Sequence, residues 1–310
     1  MKIMFIGSEG SLSVEPLKGL INGGFDICAI GGDIRLPHQT FAGISLIGAS
    51  DESPFSLADA NQIVFIELGS DLESNIREIR HCQPDLIIVS CYGKRLAAEI
   101  IAIPKRGCYN IHPSLLPAYR GPDPLFWQLR AGEKMMGVSI HRVTEAFDRG
   151  DLLIQRALHL RDGLTLVQAS QVFASVATEL LLTVLADFET YQACEIAQDH
   201  AQPGVNQCDR AGRKIWCDEI PPSYQSFAQI KDFDVSVSWT AQRMFNFICA
   251  YWAVGRRFSC PIQNEVFLLG KALAFEPCGT LPVPYIIDNH KITLACASGF
   301  IQCQLVSDHL

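Results

Sequence analysis

The stretch CYNIHPSLLPAYRG, residues 108–121, decides how the rest of the chain is read. Its opening, CYNIH, has the apolar and β-branched character of a strand, and side chains two apart in a strand share a face, so Asn110 and His112 project together. Pro113 has no N–H to donate and stops the ladder, and SLLPAYRG continues as irregular chain. The polar pair therefore sits where a strand gives way to a loop. In open parallel α/β sheets that carboxyl edge is where ligands bind. Each residue also has a plain structural use, since Asn turns or caps the chain and a single His is often a satisfied half-buried ring.

Upstream, KIMFIG (2–7) is a short apolar run ending in Gly, and Val14, Leu17, Leu20 and Ile21 then follow helical spacing. FDICAIGG repeats the strand-then-glycine theme, so the chain opens as a βαβ unit. GSEGSLS spaces its glycines wrongly for a dinucleotide fingerprint. Further strands are predicted near Gly43–Ile47 and Ile63–Glu67, a helix over LESNIREIRHC with Leu72, Ile76 and Ile79 on one face, and a fully buried strand at DLIIVS. Cys91, just after that strand, has no adjacent cation in the sequence to make it a thiolate.

Downstream, Pro122–Glu133 predicts a helix begun by prolines and ended by Gly132. Phe126 and Trp127 read as core, and Asp123 as an N-terminal cap. GVSIHRV is a second strand beside the first, and TEAFDRGD places Asp148 just before a Gly turn. Parallel neighbours end at one edge, which would bring Asp148 to His112. His141 reads as structural, with a substrate role only as a hypothesis. Leu164–Phe188 predicts one long helix. Residues 198–222 lack apolar periodicity and predict a linker between units at 1–197 and 223–310, with Arg210, Arg213 and Lys214 its basic cluster. VSVSWTAQRMFNFICAYW predicts a strand turning into a helix with Met244, Phe247 and Ile248 buried, and the alternating runs beyond it predict a small antiparallel barrel or sheet.

The 310 residues suffice for two domains, and 48% hydrophobic composition describes a globular chain. No apolar stretch is expected to span a membrane, and the N-terminus reads as a first strand and not as a signal peptide. Twelve cysteines without a C-x-x-C pair read as reduced core residues of a cytoplasmic protein. A net charge of −8 argues against a surface that embraces nucleic acid, although a local basic patch is compatible with it. The eight histidines form no H-E-x-x-H or similar ligand set, so no metal is expected.

NIHPSLLPAYRG followed by HRVTEAFDRGDLL resembles the signature of the formyltransferases that use 10-formyltetrahydrofolate, and the resemblance covers at least residues 1–190. It implies an α/β fold: an N-terminal open, twisted, mostly parallel Rossmann-like sheet with a smaller β-rich, OB-like C-terminal domain. It implies catalytic roles for Asn110, His112 and Asp148, a folate site at Tyr92, Gly93, Val143, Thr144, Glu145 and Ala146, and a substrate loop including Ser114, Arg120 and Gly121. Relatives that act on tRNA carry a basic insertion after the second strand. The matching stretch here, Asp33–Gln62, has one Arg and no Lys. A small amine, an amino sugar or a carrier-bound amine is therefore the expected acceptor, and methionyl-tRNA the alternative. A formyl-folate hydrolase and a silent folate-binding module remain open.

Overall fold

A computed structural model describes residues 1–33, 40–41, 44–45, 52–69, 71–198 and 222–306. The first strand β1 (Ile3–Gly7) is wholly buried, so both of its faces are covered by other elements. Around it lies a seven-stranded sheet ordered β5-β2-β1-β6-β7-β8-β9, where β2 is Ile27–Gly32, β5 Phe65–Glu67, β6 Leu86–Ser90, β7 Cys108–His112, β8 Met136–Arg142 and β9 Leu152–Leu158. The short pair β3 (Thr40–Phe41) and β4 (Ile44–Ser45) stands apart, and it is all that is described of the strand expected at Gly43–Ile47. The five strands from β5 to β7 are parallel.

The chain steps from β1 outward to β2 and β5, then returns to build β6 and β7 on the other side of β1. That reversal opens a crevice at the carboxyl ends of β1 and β6. Helix α1 (Ser11–Asn22) starts there. Pro16 inside it has no N–H, which frees the carbonyl of Leu12 four residues earlier, and Ser90 Oγ donates to that oxygen at 2.6 Å. Ser13 Oγ in turn donates to Ser90 O at 2.6 Å, so the helix start is fastened to the end of β6.

The expected parallel pairing of GVSIHRV with the first site strand does not hold. β8 runs antiparallel to β7, with Asn110 opposite His141 and His112 opposite Ser139, and β9 runs antiparallel to β8. β8 to β9 is a hairpin-like return, whereas the link from β7 to β8, which contains helix α5 (Pro124–Ala131), is long enough for either direction, so the alternation of the strand residues does not decide between them. Asp148 reaches the pair because loop 143–151 folds over the face that Asn110, His112 and His141 share.

Helix α6 (Leu166–Ala186) is opened by a capping box between Thr165 and Gln168 and ends at Asp187, so the single helix predicted to Phe188 is α6 followed by the short α7 (Phe188–Ala193). The expectation that nothing is long and apolar enough for a membrane span is also corrected: α6 passes by length and composition, at mean hydropathy 1.5, yet half of that window is buried, where α6 packs on α1, β8 and β9. Helices α2 (Pro54–Ala60), α3 (Leu72–Cys82) and α4 (Ala98–Ile101) cover the remaining flanks. On α3 Asn75 and Ile79 are buried while Leu72 is 39% exposed, so its inner face is narrower than periodicity implied.

The basic cluster Arg210, Arg213 and Lys214 lies outside the described residues. Beyond residue 222, helix α8 (Ala241–Trp252) buries Met244, Phe247 and Ile248 completely, as its spacing predicted. The strand expected just before it is instead a turn, capped by Thr240, whose side chain accepts the Arg243 N–H. Strands β10 (Phe258–Ile262), β11 (Glu265–Glu276), β12 (Tyr285–Asp288), β13 (Lys291–Ala295) and β14 (Phe300–Leu305) form an antiparallel sheet ordered β10-β11-β14-β13-β12. Phe126 of α5 joins this part to the first, with its ring 5.6 Å from Phe247, 5.3 Å from Tyr251 and 5.1 Å from Phe233.

Candidate active site

A cavity of about 580 Å³ opens at the carboxyl edge of β6 and β7, lined by Asn110, His112, His141 and Asp148. Backbone register explains the convergence of the first three. Asn110 and His112 are two apart in β7, and His141 is the cross-strand partner of Asn110, so all three face one way.

Hydrogen bonds fix their orientation. His112 is 4% exposed, and its Nε2 lies 2.9 Å from Tyr119 O; a carbonyl only accepts, so Nε2 carries a proton. Its Nδ1 then faces Asp148 Oδ1 at 3.6 Å. His141 is 2% exposed and donates through Nδ1 to Arg142 O at 2.9 Å, which leaves Nε2 able to accept from Asn110 Nδ2 at 3.2 Å. The second amide hydrogen of Asn110 has only a long contact, 3.4 Å to Asp148 Oδ1. That hydrogen is the one an incoming oxygen can claim at small cost.

Asp148 adopts φ +53°, a left-handed conformation that Asp tolerates better than most residues, and so turns its side chain back toward the imidazoles. Its Oδ2 accepts the Gly121 N–H at 2.9 Å, and Oδ1 lies 3.4 Å from His141 Nε2. Burial alone would raise its pKa. The attraction of His112 and the Gly121 N–H oppose that, and the carboxyl is held well below the usual range. For His112, burial lowers the pKa below its ordinary value against the opposing pull of Asp148. The pair at neutral pH is thus a carboxylate beside a neutral imidazole that protonates only in more acidic solution.

The SLLPAYRG segment acts as scaffold. Ser114 is fully buried and donates to Ala118 O at 2.7 Å; Arg120, 4% exposed, donates through Nε to Asp148 O at 3.1 Å and through Nη2 to Gln198 Oε1 at 2.7 Å. Neither lines the cavity, whereas Gly121 does. Of the expected folate residues, Tyr92, Gly93, Val143, Thr144 and Ala146 line it, and Glu145 is exposed outside it. Cys91 also lines it, but burial pushes its thiol up to about 12, which leaves it a poor nucleophile.

Two residues carry more than their sequence context announced. His141 orients Asn110, and the cross-strand register that makes this so was hidden by the expected parallel pairing. Asp123 stands at the N-terminal cap position of α5 without capping it, and instead accepts the Ala228 N–H at 3.2 Å inside the cavity.

Known proteins resemble this chain in sequence and in fold. Residues 40–185 match the formyl transferase family. The methionyl-tRNA formyltransferase of Thermotoga maritima is 30% identical over 203 residues, 65% of this chain and 63% of that protein, so the matched stretch spans a little under two thirds of the relative. That of Thermotoga sp. strain RQ2 is 29% identical over 305 residues, 97% of this chain and 89% of that protein. Among solved structures, the N-formyltransferase of Helicobacter canadensis, in complex with folinic acid and dTDP-3-aminofucose, aligns over 99% of this chain and 100% of that one with a TM-score of 0.69 at 14% identity, a likeness of fold.

Proposed function

We propose that this chain, which matches the formyl transferase family over residues 40–185, moves the formyl group of 10-formyltetrahydrofolate to the nitrogen of a primary amine. The observation that carries the reading is the meeting of Asn110, His112 and Asp148 at one cavity, with His112 Nδ1 3.6 Å and Asn110 Nδ2 3.4 Å from the same carboxylate oxygen.

Attack of the amine on the formyl carbon makes a tetrahedral intermediate, which then expels the folate nitrogen. The oxygen gains charge on the way, and the loosely held amide hydrogen of Asn110 is the donor for it. The amine must lose a proton and the leaving nitrogen must gain one. His112, neutral at pH 7 and with Nδ1 uncommitted to the backbone, carries that proton, while Asp148 holds the ring and stabilises the imidazolium. Tyr92, Gly93, Val143, Thr144 and Ala146 are the residues proposed to hold the pterin, on residues 1–197, with 223–310 as a second unit.

For the acceptor, the scarcity of cations in Asp33–Gln62 and the net charge of −8 support a small amine, and the Helicobacter canadensis structure holds an amino sugar. Methionyl-tRNA is the second reading, favoured because the two Thermotoga relatives near 30% identity are methionyl-tRNA formyltransferases. Turnover of 10-formyltetrahydrofolate with a panel of amines, read by mass spectrometry as one added formyl group, tests the proposal. Asn110→Ala and His112→Ala should each lower it by about 10²-fold or more. Undiminished turnover in both variants would remove the assigned roles, and formate released without any amine would mark a hydrolase.

A further inference from the structure

The cavity has a second wall, away from the Asn110–His112–Asp148 cluster. It is formed by Asp123 and Phe126 at the start of α5, and by Tyr224, Ser226, Phe227 and Tyr251 from the chain beyond residue 222. Apart from the Asp123 carboxylate and the Ser226 hydroxyl it is apolar and phenolic. Asp123 Oδ2 accepts the Ala228 N–H, and among the described residues no other group donates to this carboxylate. Tyr251 is 1% exposed, and its phenol is held well above its ordinary pKa by burial and then by the charge of Asp123.

A half-satisfied carboxylate in a largely apolar wall sets a chemical requirement. Asp123 is half-buried, so whatever fills that space and shuts water out must donate hydrogen bonds to it, because a charge cut off from water without a partner is costly. A thioether or alkyl side chain has no donor to offer, and a phosphate would be repelled. Hydroxyl and ammonium groups meet the requirement, and Tyr251 lines the same wall as Asp123. Burial raises the Asp123 carboxyl to about 6, so it is still mostly ionised at neutral pH.

We propose that Asp123, with Tyr251 on the same wall, is the acceptor-specificity residue of the site, binding a hydroxyl or ammonium group of a polyhydroxylated amine of the amino-sugar class and disfavouring the thioether of a methionyl acceptor. The proposal rests on the formyl-transfer reading and gives the second part of the chain a task, since Ala228 fixes the carboxylate and Tyr251 lines the same cavity.

The test uses the full chain, 10-formyltetrahydrofolate, a panel of nucleotide-linked amino sugars that includes dTDP-3-aminofucose, and initiator methionyl-tRNA. Asp123→Asn keeps an acceptor for the Ala228 N–H and guards against a folding defect, while Asp123→Ala removes the group outright. Losing a charged hydrogen bond should raise the KM of the amino sugar by about tenfold or more, with a smaller change in kcat. Tyr251→Phe should raise it less, and the Kd for folinic acid, measured by calorimetry, should stay at the wild-type value in all three. An unchanged acceptor KM in folded Asp123→Ala overturns the proposal, as does a loss of folinic acid binding, which would move Asp123 to the donor side. Wild type that binds folinic acid yet accepts methionyl-tRNA and no amino sugar overturns it too and leaves formyl transfer standing. Wild type that binds no folinic acid overturns both readings.

Discussion

At the residue scale the site depends on which groups hold protons, and the three polar side chains make opposed demands. Asp148 favours a charged His112, burial favours a neutral one, and burial prevails. With the imidazole pKa below its ordinary 6.5, kcat/KM is expected to hold level through neutral pH and to fall as pH drops through that lowered value. Asp148→Asn removes the charge that helps retain the proton, so the acid limb should move further down the pH scale while the plateau falls by about 10²-fold. A pH–rate profile of the two proteins checks both signs; a limb that moves upward contradicts the assigned electrostatics. His141 acts one step back. Its Nε2 is the acceptor that aims the Asn110 amide, so His141→Ala should lower kcat by about tenfold, more than acceptor or folate affinity, whereas His141→Asn can replace the contact in part. Steady-state kinetics with folinic acid binding as the control distinguishes this from general unfolding.

Among the elements, the loop after β7 and the loop after β8 have to meet, and Gly121 is where they do. It adopts φ +113°, gives its N–H to Asp148, and lies so close to the chain at Gln225 that an added Cβ would stand 2.0 Å from that carbonyl oxygen. Arg120 is paired on both sides of this point, its N–H to Ser223 O and its carbonyl to the Gln225 N–H. Gly121→Ala should therefore cost about 1–3 kcal/mol in a thermal melt, and should also lower kcat because Asp148 loses its anchor. A variant with normal stability and normal turnover would mean that the 223–225 segment yields without consequence. The strands and helices around this point were legible because burial periodicity is local: β1, β6, β7 and α8 follow directly from apolar spacing. Strand direction was not, since GVSIHRV has the same alternation whether it lies parallel or antiparallel to CYNIH. The orientation is set by packing distant along the chain, and it decides whether His141 faces Asn110. The motif residues were legible as a group but not in their division of labour. Ser114 and Arg120 stand in the same string as His112, and only the folded loop separates those that face the cavity from those that hold it up.

For the molecule as a whole, the question is why a sheet at residues 258–305 accompanies a site built on the first 150 residues. Packing gives one part of the answer. Phe247 is fully buried with its ring 5.6 Å from Phe126, 5.1 Å from Tyr251 and 5.9 Å from Phe258, so the aromatic cluster belongs to both parts at once. Phe247→Ala should cost about 3–5 kcal/mol and should shift one common unfolding transition instead of splitting it in two. Calorimetry that resolved two independent transitions in the wild-type chain would separate the cores. Charge gives the other part. A chain with 33 acidic and 25 basic residues has no general attraction for a polyanion, and the first wall of the cavity already contains a carboxylate at Asp148 and the second another at Asp123. Initiator tRNA should accordingly bind weakly in a gel shift, and raising salt from about 50 to 200 mM should change its affinity far less than the 10³–10⁵-fold expected when many phosphates are neutralised. A steep salt slope would require a concentrated basic surface that outweighs the net charge, and would return the methionyl-tRNA reading to first place, because only clustered cations can release that many counterions.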